Sequence, residues 1–213
     1  MVILRLLLRH PDLDFIDIGA NIGTYTMYVA ALGRFVLSID CFAPNIALIQ
    51  QAVQLANVAN RVVLVQNAIF SRSGELLHLT FNPNNIAAQQ IEIHTNQTNN
   101  VHKVRHLSSE DPYIVKTITF DELLPVFNAR GIRRALMKID IEKSEHFVVQ
   151  NGSRIFDTLE IPLVQMEWGG IQTHADRIKI VVDFFIIRRY NPISHNCTVL
   201  NTTEPETWPF DIY

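Results

Sequence analysis

The chain has 213 residues, of which 48% are hydrophobic and 18% are charged, a composition typical of a globular protein. The formal net charge of −3 gives no electrostatic reason to expect a nucleic acid or an anionic membrane as partner. No stretch approaches the roughly 20 apolar residues of a membrane-spanning helix, and two cysteines are too few for a disulfide framework or a cysteine-based zinc site.

The strand predictions come from short, continuously apolar runs, which are typical of strands buried on both faces of a parallel sheet. Met1 to Leu8 precedes them and is predicted to end an entry helix. The runs themselves are Phe15 to Ile18, Phe35 to Ile39, Val62 to Val65, Leu136 to Ile139 and Leu163 to Met166.

Segments of helical period separate these runs. Pro44 marks a favourable helix start, and Ile46, Ile49, Val53 and Ala56 follow it on one face. Thr173 to Ile187 has the same spacing, and Val148, Ile155 and Leu159 indicate a third helix. Strands alternating with helices predict right-handed βαβ units. We therefore predict an α/β fold with a Rossmann-like, doubly wound, mostly parallel sheet, formed as a single domain over residues 1–213.

One stretch interrupts this alternation. Residues from about 82 to 116 are rich in Asn, Gln, His and Thr, and we predict a β-hairpin insertion with strands Gln90 to His94 and Val101 to Leu107. Insertions of this length are often lids or substrate walls. The tail from Asn191 to Tyr213 is predicted to form one or two closing strands.

A glycine loop follows the first predicted strand and leads into a helix that starts near Tyr25. Glycines let the backbone turn sharply and let a ligand approach closely, and open α/β sheets bind ligands at the carboxyl ends of their strands. We predict that this loop binds a cofactor through Asp17, Gly19, Ala20, Asn21 and Gly23.

The non-glycine positions of the loop narrow the choice of cofactor. The dinucleotide fingerprint requires glycines where Asn21 and Thr24 stand, which argues against a nicotinamide oxidoreductase, and the Gly-Lys-Ser/Thr of a P-loop is absent. The carboxylate of Asp17 suits a cationic ligand. S-adenosylmethionine carries an ammonium and a sulfonium, and its charges match.

Two further strand ends support an adenosine-type ligand. Asp40 closes the second predicted strand, where a carboxylate can accept both ribose hydroxyls. Asn67 and Ala68 end the third strand and are predicted to face an adenine. Each residue alone could be a strand-end cap or a turn former, but the three successive strand ends together favour the cofactor interpretation.

Several segments together resemble the FkbM family of S-adenosylmethionine-dependent methyltransferases. They are Phe15 to Gly23, Asn67 to Glu75, Thr119 to Leu124, Met137 to Glu142 and Met166-Glu167. The resemblance implies a class I methyltransferase fold and O-methylation of a hydroxyl on a small molecule or glycan. Two positions depart from the family pattern: Lys143 stands where glycine is usual, and Cys41 where proline is common. Lys143 leaves open a catalytically degenerate domain that binds S-adenosylmethionine or a partner.

The acids after the fourth predicted strand are the catalytic candidates. Methyl transfer requires a positioned nucleophile, and a base makes an oxygen nucleophile more reactive. We predict Asp140 as base or substrate orienter and Glu142 as the second candidate, although either could instead cap the next helix.

A metal site is not predicted. Glu167 could join Asp140 around a divalent ion. His94, His102 and His106 lie in the predicted hairpin, but surface or capping roles explain these histidines better than a metal site does. Neither the oligomeric state nor the compartment, cytoplasmic or secretory-lumenal, follows from the sequence.

Overall fold

The computed structural model describes residues 2–81, 89–92 and 111–213. Its strands are β1 (Asp14–Ile18), β2 (Val36–Asp40), β3 (Val62–Gln66), β4 (Ala68–Ile69), β5 (Leu76–His78), β6 (Ile114–Ile118), β7 (Ala135–Ile139), β8 (Val164–Glu167) and β9 (Asp211–Ile212). Its helices are α1 (Val2–Arg9), α2 (Thr24–Ala31), α3 (Ala43–Leu55), α4 (Leu124–Arg130), α5 (His146–Gln150), α6 (Ser153–Thr158) and α7 (Ala175–Ile187). Among these described helices, none has both the length and the apolar character needed to cross a membrane.

The central sheet has six strands in the order β3-β2-β1-β7-β8-β9. All neighbouring strands are parallel except β9, which runs antiparallel to β8. The chain moves outward from β1 in one direction through β2 and β3, and then returns to the other side of β1 with β7. The predicted doubly wound α/β fold is confirmed, and its switch point lies between β1 and β7.

Alternation along the strands divides the core into two layers. Ile16 and Ile18 pack with one group of buried side chains, whereas Phe15 packs with the other, which also contains residues of α1, α2 and α3. Side chains two residues apart share a face of the sheet. Asp17 therefore lies on the same face as Phe15, and its register partner on β7 is Lys138.

The predicted insertion is only partly described, and its end differs from the prediction. Residues 82–88 and 93–110 lie outside the described part of the chain, including Val101 to Leu107 and the three histidines 94, 102 and 106. Gln90 to Glu92 hydrogen-bond the chain just after β5. Residues 114–116 belong to β6, which pairs with β4 and β5 in a second, three-stranded sheet, so the insertion ends earlier than predicted.

The predicted third helix is also different, since two short helices replace it. α5 ends at Gln150, and α6 begins at Ser153 after Asn151 and Gly152. Asn151 has φ −132° and ψ 39° and Gly152 has φ −123° and ψ 2°, so the backbone leaves helical geometry at these two residues and one continuous helix is not formed.

Candidate functional site

The loop between β1 and α2 is held against the ends of two neighbouring strands. The backbone N–H groups of Gly19 and Ala20 both donate to the Ile39 carbonyl, at 2.9 and 3.0 Å. Gly19 has a φ of +79°, and a Cβ there would overlap the Asp140 carbonyl oxygen. Glycine is required at this position because β1 and β7 bring their carboxyl ends together.

Gly23 has a different reason to be glycine. It has a φ of +86° as the residue before α2, and a Cβ would lie 2.8 Å from Cγ1 of Ile49 on α3. The absence of a side chain at Gly23 allows α2 and α3 to pack closely. Gly23 therefore supports the conformation of the loop by packing against α3.

Asp40, at the end of β2, organises the neighbouring backbone. Its Oδ2 accepts the Asn21 N–H at 2.8 Å, and its Oδ1 accepts the Phe42 N–H at 2.9 Å and the Asn45 amide at 3.3 Å. Burial raises the pKa of Asp40, and these hydrogen bonds oppose the increase. A carboxylate offers about four acceptor sites. Three are used by the protein, which leaves one acceptor site, on Oδ2, for a ribose hydroxyl.

An apolar slot lies beside Asp40. Phe42, Ala68 and Leu79 are buried together, with Ile91 partly buried against them. Asn67 donates from its side-chain amide to the Lys116 carbonyl at 3.1 Å, which links the end of β3 to β6. This apolar slot could accommodate a flat, apolar ring.

These features line one cleft at the carboxyl edge of the central sheet. It encloses about 950 Å³ of empty space, including space open to solvent. The predicted site residues in its lining are Gly19, Asn21, Asp40, Asn67, Ala68, Asp140 and Glu142. Ala20, Gly23 and Asp17 are not part of the lining.

Asp17 faces the interior rather than the cleft. Its side chain is fully buried, and Oδ2 accepts the Thr26 hydroxyl at 2.7 Å. Burial raises the pKa of Asp17, whereas Lys138 and the Thr26 hydroxyl lower it. Asp17 was predicted to face a cationic ligand, and its carboxylate is instead buried beneath the loop and is not part of the cleft lining.

Lys138 is the residue that the sequence interpretation missed. Its ammonium lies 2.9 Å from the Gly19 carbonyl oxygen and 3.1 Å from Oδ2 of Asp140. The sequence feature that could have identified Lys138 is its charge, because it is the one charged residue within an otherwise apolar strand.

Three carboxylates meet at one end of the cleft. Each of Asp140, Glu142 and Glu167 places an oxygen within 4.8 Å of the others. Burial and the negative charges of its neighbours raise the pKa of Glu167 to about 8. Carboxylate oxygens this close could serve a hard divalent cation or face a cationic ligand.

The backbone after β7 brings both predicted catalytic acids to the cleft. Glu142 and Lys143 have φ values of +51° and +72°, in the left-handed region. This turn explains how Asp140 and Glu142 both line the cleft although the chain bends between them. Lys143 holds a conformation that favours glycine, and its side chain is not part of the lining. Neither acid caps α5, which is preceded by Glu145.

We expect the free energy of unfolding to fall as the pH rises from about 6.5 to 8. Burial raises the pKa of Glu145 to about 7, so the folded protein keeps a proton that an unfolded glutamate has already released. Stability from this group is complete at low pH and is lost as the pH rises through its folded pKa. His146, whose pKa burial lowers to about 4, acts in the opposite direction only below about pH 6.5.

Urea unfolding at half-unit pH steps measures this effect. The expected slope is at most about 1.4 kcal/mol per pH unit for each proton released. Glu145→Gln should reduce the slope without abolishing it, because Glu167, whose pKa is raised to about 8, loses its proton over the same range. Glu206→Gln, at an exposed position, should leave the slope unchanged. An equal slope in wild type and Glu145→Gln would show that Glu145 does not carry the effect.

The chain was compared with known protein families and proteins. The family model described as methyltransferase FkbM domain matches residues 17–191, from the acid of the glycine loop to beyond α7. None of the curated proteins in the comparison matches the chain.

Proposed function

The chain belongs to the FkbM methyltransferase family, and we propose that it transfers a methyl group from S-adenosylmethionine to a hydroxyl of a small molecule or glycan. The observation that carries this proposal is the order of groups along one cleft. Along the strand order β3-β2-β1-β7-β8, the apolar slot lies beside Asp40 at the ends of β3 and β2, the glycine loop follows β1, and the carboxylates lie at the ends of β7 and β8. Adenine, ribose and a cationic sulfonium need these surroundings in the same order.

The residues around the slot and Asp40 would hold the adenosine. Phe42, Ala68 and Leu79 would cover the adenine faces, and the open acceptor site on Oδ2 of Asp40 would accept a ribose hydroxyl. Asp40 also fixes Asn21 through its backbone N–H. One carboxylate therefore orients the ligand and the loop that covers it.

The methionine part would lie along Gly19 toward the carboxylate end. S-adenosylmethionine, when bound, supplies a methyl group on a positively charged sulfur that can accept the electrons of the broken C–S bond. The protein must place an acceptor oxygen in line with that bond. We assign this task to Asp140, which lines the cleft and whose side chain is 42% exposed there.

Asp140 would also take the proton of the acceptor hydroxyl as the oxygen attacks. A carboxylate within hydrogen-bond reach of that hydroxyl can act as a general base. Glu142, beside it, is the second candidate, and burial raises its pKa. Lys143 lies outside the cleft lining and adopts the left-handed turn that a glycine would adopt, which supports an acceptor site despite this departure from the family pattern.

Methyl-labelled S-adenosylmethionine incubated with the protein and a metabolite extract tests the reaction. We expect label in a product whose methyl carbon is bonded to oxygen, as established by carbon-13 NMR. Cofactor binding without transfer to any component of a broad acceptor panel would favour the degenerate alternative. Label bonded to nitrogen or carbon would support methyltransferase activity but refute O-methylation.

A further inference from the structure

Lys138 is a charged side chain in the middle of the buried strand β7. The residue is 7% exposed, and every other residue of β7 is an apolar buried one. Its ammonium donates to the Gly19 carbonyl at 2.9 Å and lies 3.1 Å from Oδ2 of Asp140. The same group lies 3.9 Å from Oδ1 of Asp17 and 5.6 Å from the centre of the Tyr25 ring.

The charges around Lys138 keep it ionised. Burial lowers the pKa of an ammonium, but the carboxylates of Asp17 and Asp140 outweigh burial, and the net shift of the Lys138 pKa is upward. A buried cation is stable only when it is paired and hydrogen-bonded. Lys138 thus joins three parts of the site: the acid of β1, the turn of the glycine loop and the acid that follows β7.

We propose that Lys138 is a positioning residue for the cofactor, because its ammonium fastens the Gly19 turn to Asp140 and so keeps the loop in its binding conformation. The inference rests on the proposed function, since it concerns binding of S-adenosylmethionine. Lys138 is not part of the cleft lining, so it acts through Gly19 and Asp140 rather than by touching the ligand. A loop held in place before binding loses less freedom when the ligand arrives.

Calorimetric titration with S-adenosylmethionine tests the role without knowledge of the acceptor. Lys138→Met keeps the length of the side chain and removes its charge and donors. We expect the Kd to rise about 10- to 100-fold, the loss typical of a charge-assisted hydrogen bond. Gln165→Met is the matched control, because Gln165 is the register partner of Lys138 on β8 and is also buried. Its Kd should stay within about twofold of wild type, since its side chain bonds only Tyr25 among the described residues.

Testing Lys138→Met in the Asp17→Asn variant separates an effect on cofactor affinity from an effect on protein stability. Lys138→Met leaves the carboxylate of Asp17 buried without a cation, which can itself unfold the chain. Asp17→Asn removes that charge, so the double variant Asp17→Asn/Lys138→Met should recover most of the lost urea midpoint. Its Kd should nevertheless stay at least about tenfold above that of Asp17→Asn alone.

Recovery of affinity together with stability would overturn the proposal. A double variant whose Kd lies within twofold of Asp17→Asn would show that Lys138 only supports the fold. An unchanged Kd in Lys138→Met would have the same meaning. A folded wild-type protein that does not bind S-adenosylmethionine would instead refute the proposed function, and this inference with it.

Discussion

Asp140→Asn should lower kcat for methyl transfer about 10²- to 10⁴-fold, the usual contribution of a general base. Asparagine has the same shape and still offers an oxygen to the Lys138 ammonium, which lies 3.1 Å from Oδ2 in the wild type. It cannot take a proton from the acceptor hydroxyl. The Kd for S-adenosylmethionine should stay within about threefold, because the charge-paired contacts of Asp17 and Lys138 persist.

Steady-state transfer of labelled methyl to the acceptor found in the extract measures this effect. Asp183→Asn is a suitable control, since Asp183 is exposed on α7 and pairs only with Lys179 among the described residues. It should leave kcat unchanged. If Asp140→Asn kept wild-type kcat while Glu142→Gln lost it, the role of base would move to Glu142.

Gly19→Ala should lower the free energy of unfolding by roughly 3 kcal/mol or more. The added Cβ would overlap the Asp140 carbonyl, which belongs to the backbone and cannot rotate away. The left-handed φ of +79° adds the strain that any side chain meets there. The variant must therefore separate β1 from β7 at the edge where the cleft lies.

Gly33→Ala isolates the backbone part of this cost. Gly33 has a φ of +85°, but a Cβ would meet nothing within 4 Å. Its loss should be about 1 kcal/mol, from strain alone. Equal losses for the two variants in urea unfolding would show that the contact between Gly19 and Asp140 is looser than described.

The central sheet could be predicted because its strands are buried on both faces. Phe15 to Ile18 and Leu136 to Ile139 contain few polar residues, and β1 and β7 include both runs. β6 was missed because it follows a polar stretch. Its partners β4 and β5 are separated from it by more than 30 residues, so no short turn sequence indicates that these strands pair. At the break between α5 and α6, a Cβ on Gly152 would lie 2.9 Å from Cδ1 of Phe120, and helical spacing does not reveal this tertiary contact.

The site was predictable where strand ends define it. Asp40, Asn67 and Asp140 line the cleft because each follows or ends a strand of the same edge. The direction of Asp17 was not predictable, since its orientation depends on register with Lys138 and on the Thr26 hydroxyl from α2. Lys138 and Thr26 are visible in the sequence, but the pairing of β1 with β7 that brings Lys138 beside Asp17 cannot be inferred from the sequence alone.

Calorimetric titration of the wild-type protein with S-adenosylmethionine measures whether the cleft binds the cofactor. Wild-type protein should bind S-adenosylmethionine with saturable heat, and Asp40→Ala should raise the Kd about 10- to 100-fold, because a charge-assisted hydrogen bond to the ribose is lost. Circular dichroism of both proteins establishes that they are folded. A folded wild-type protein that gives no binding heat at several temperatures, and no protection against thermal unfolding by the cofactor, would show that the cleft does not bind S-adenosylmethionine.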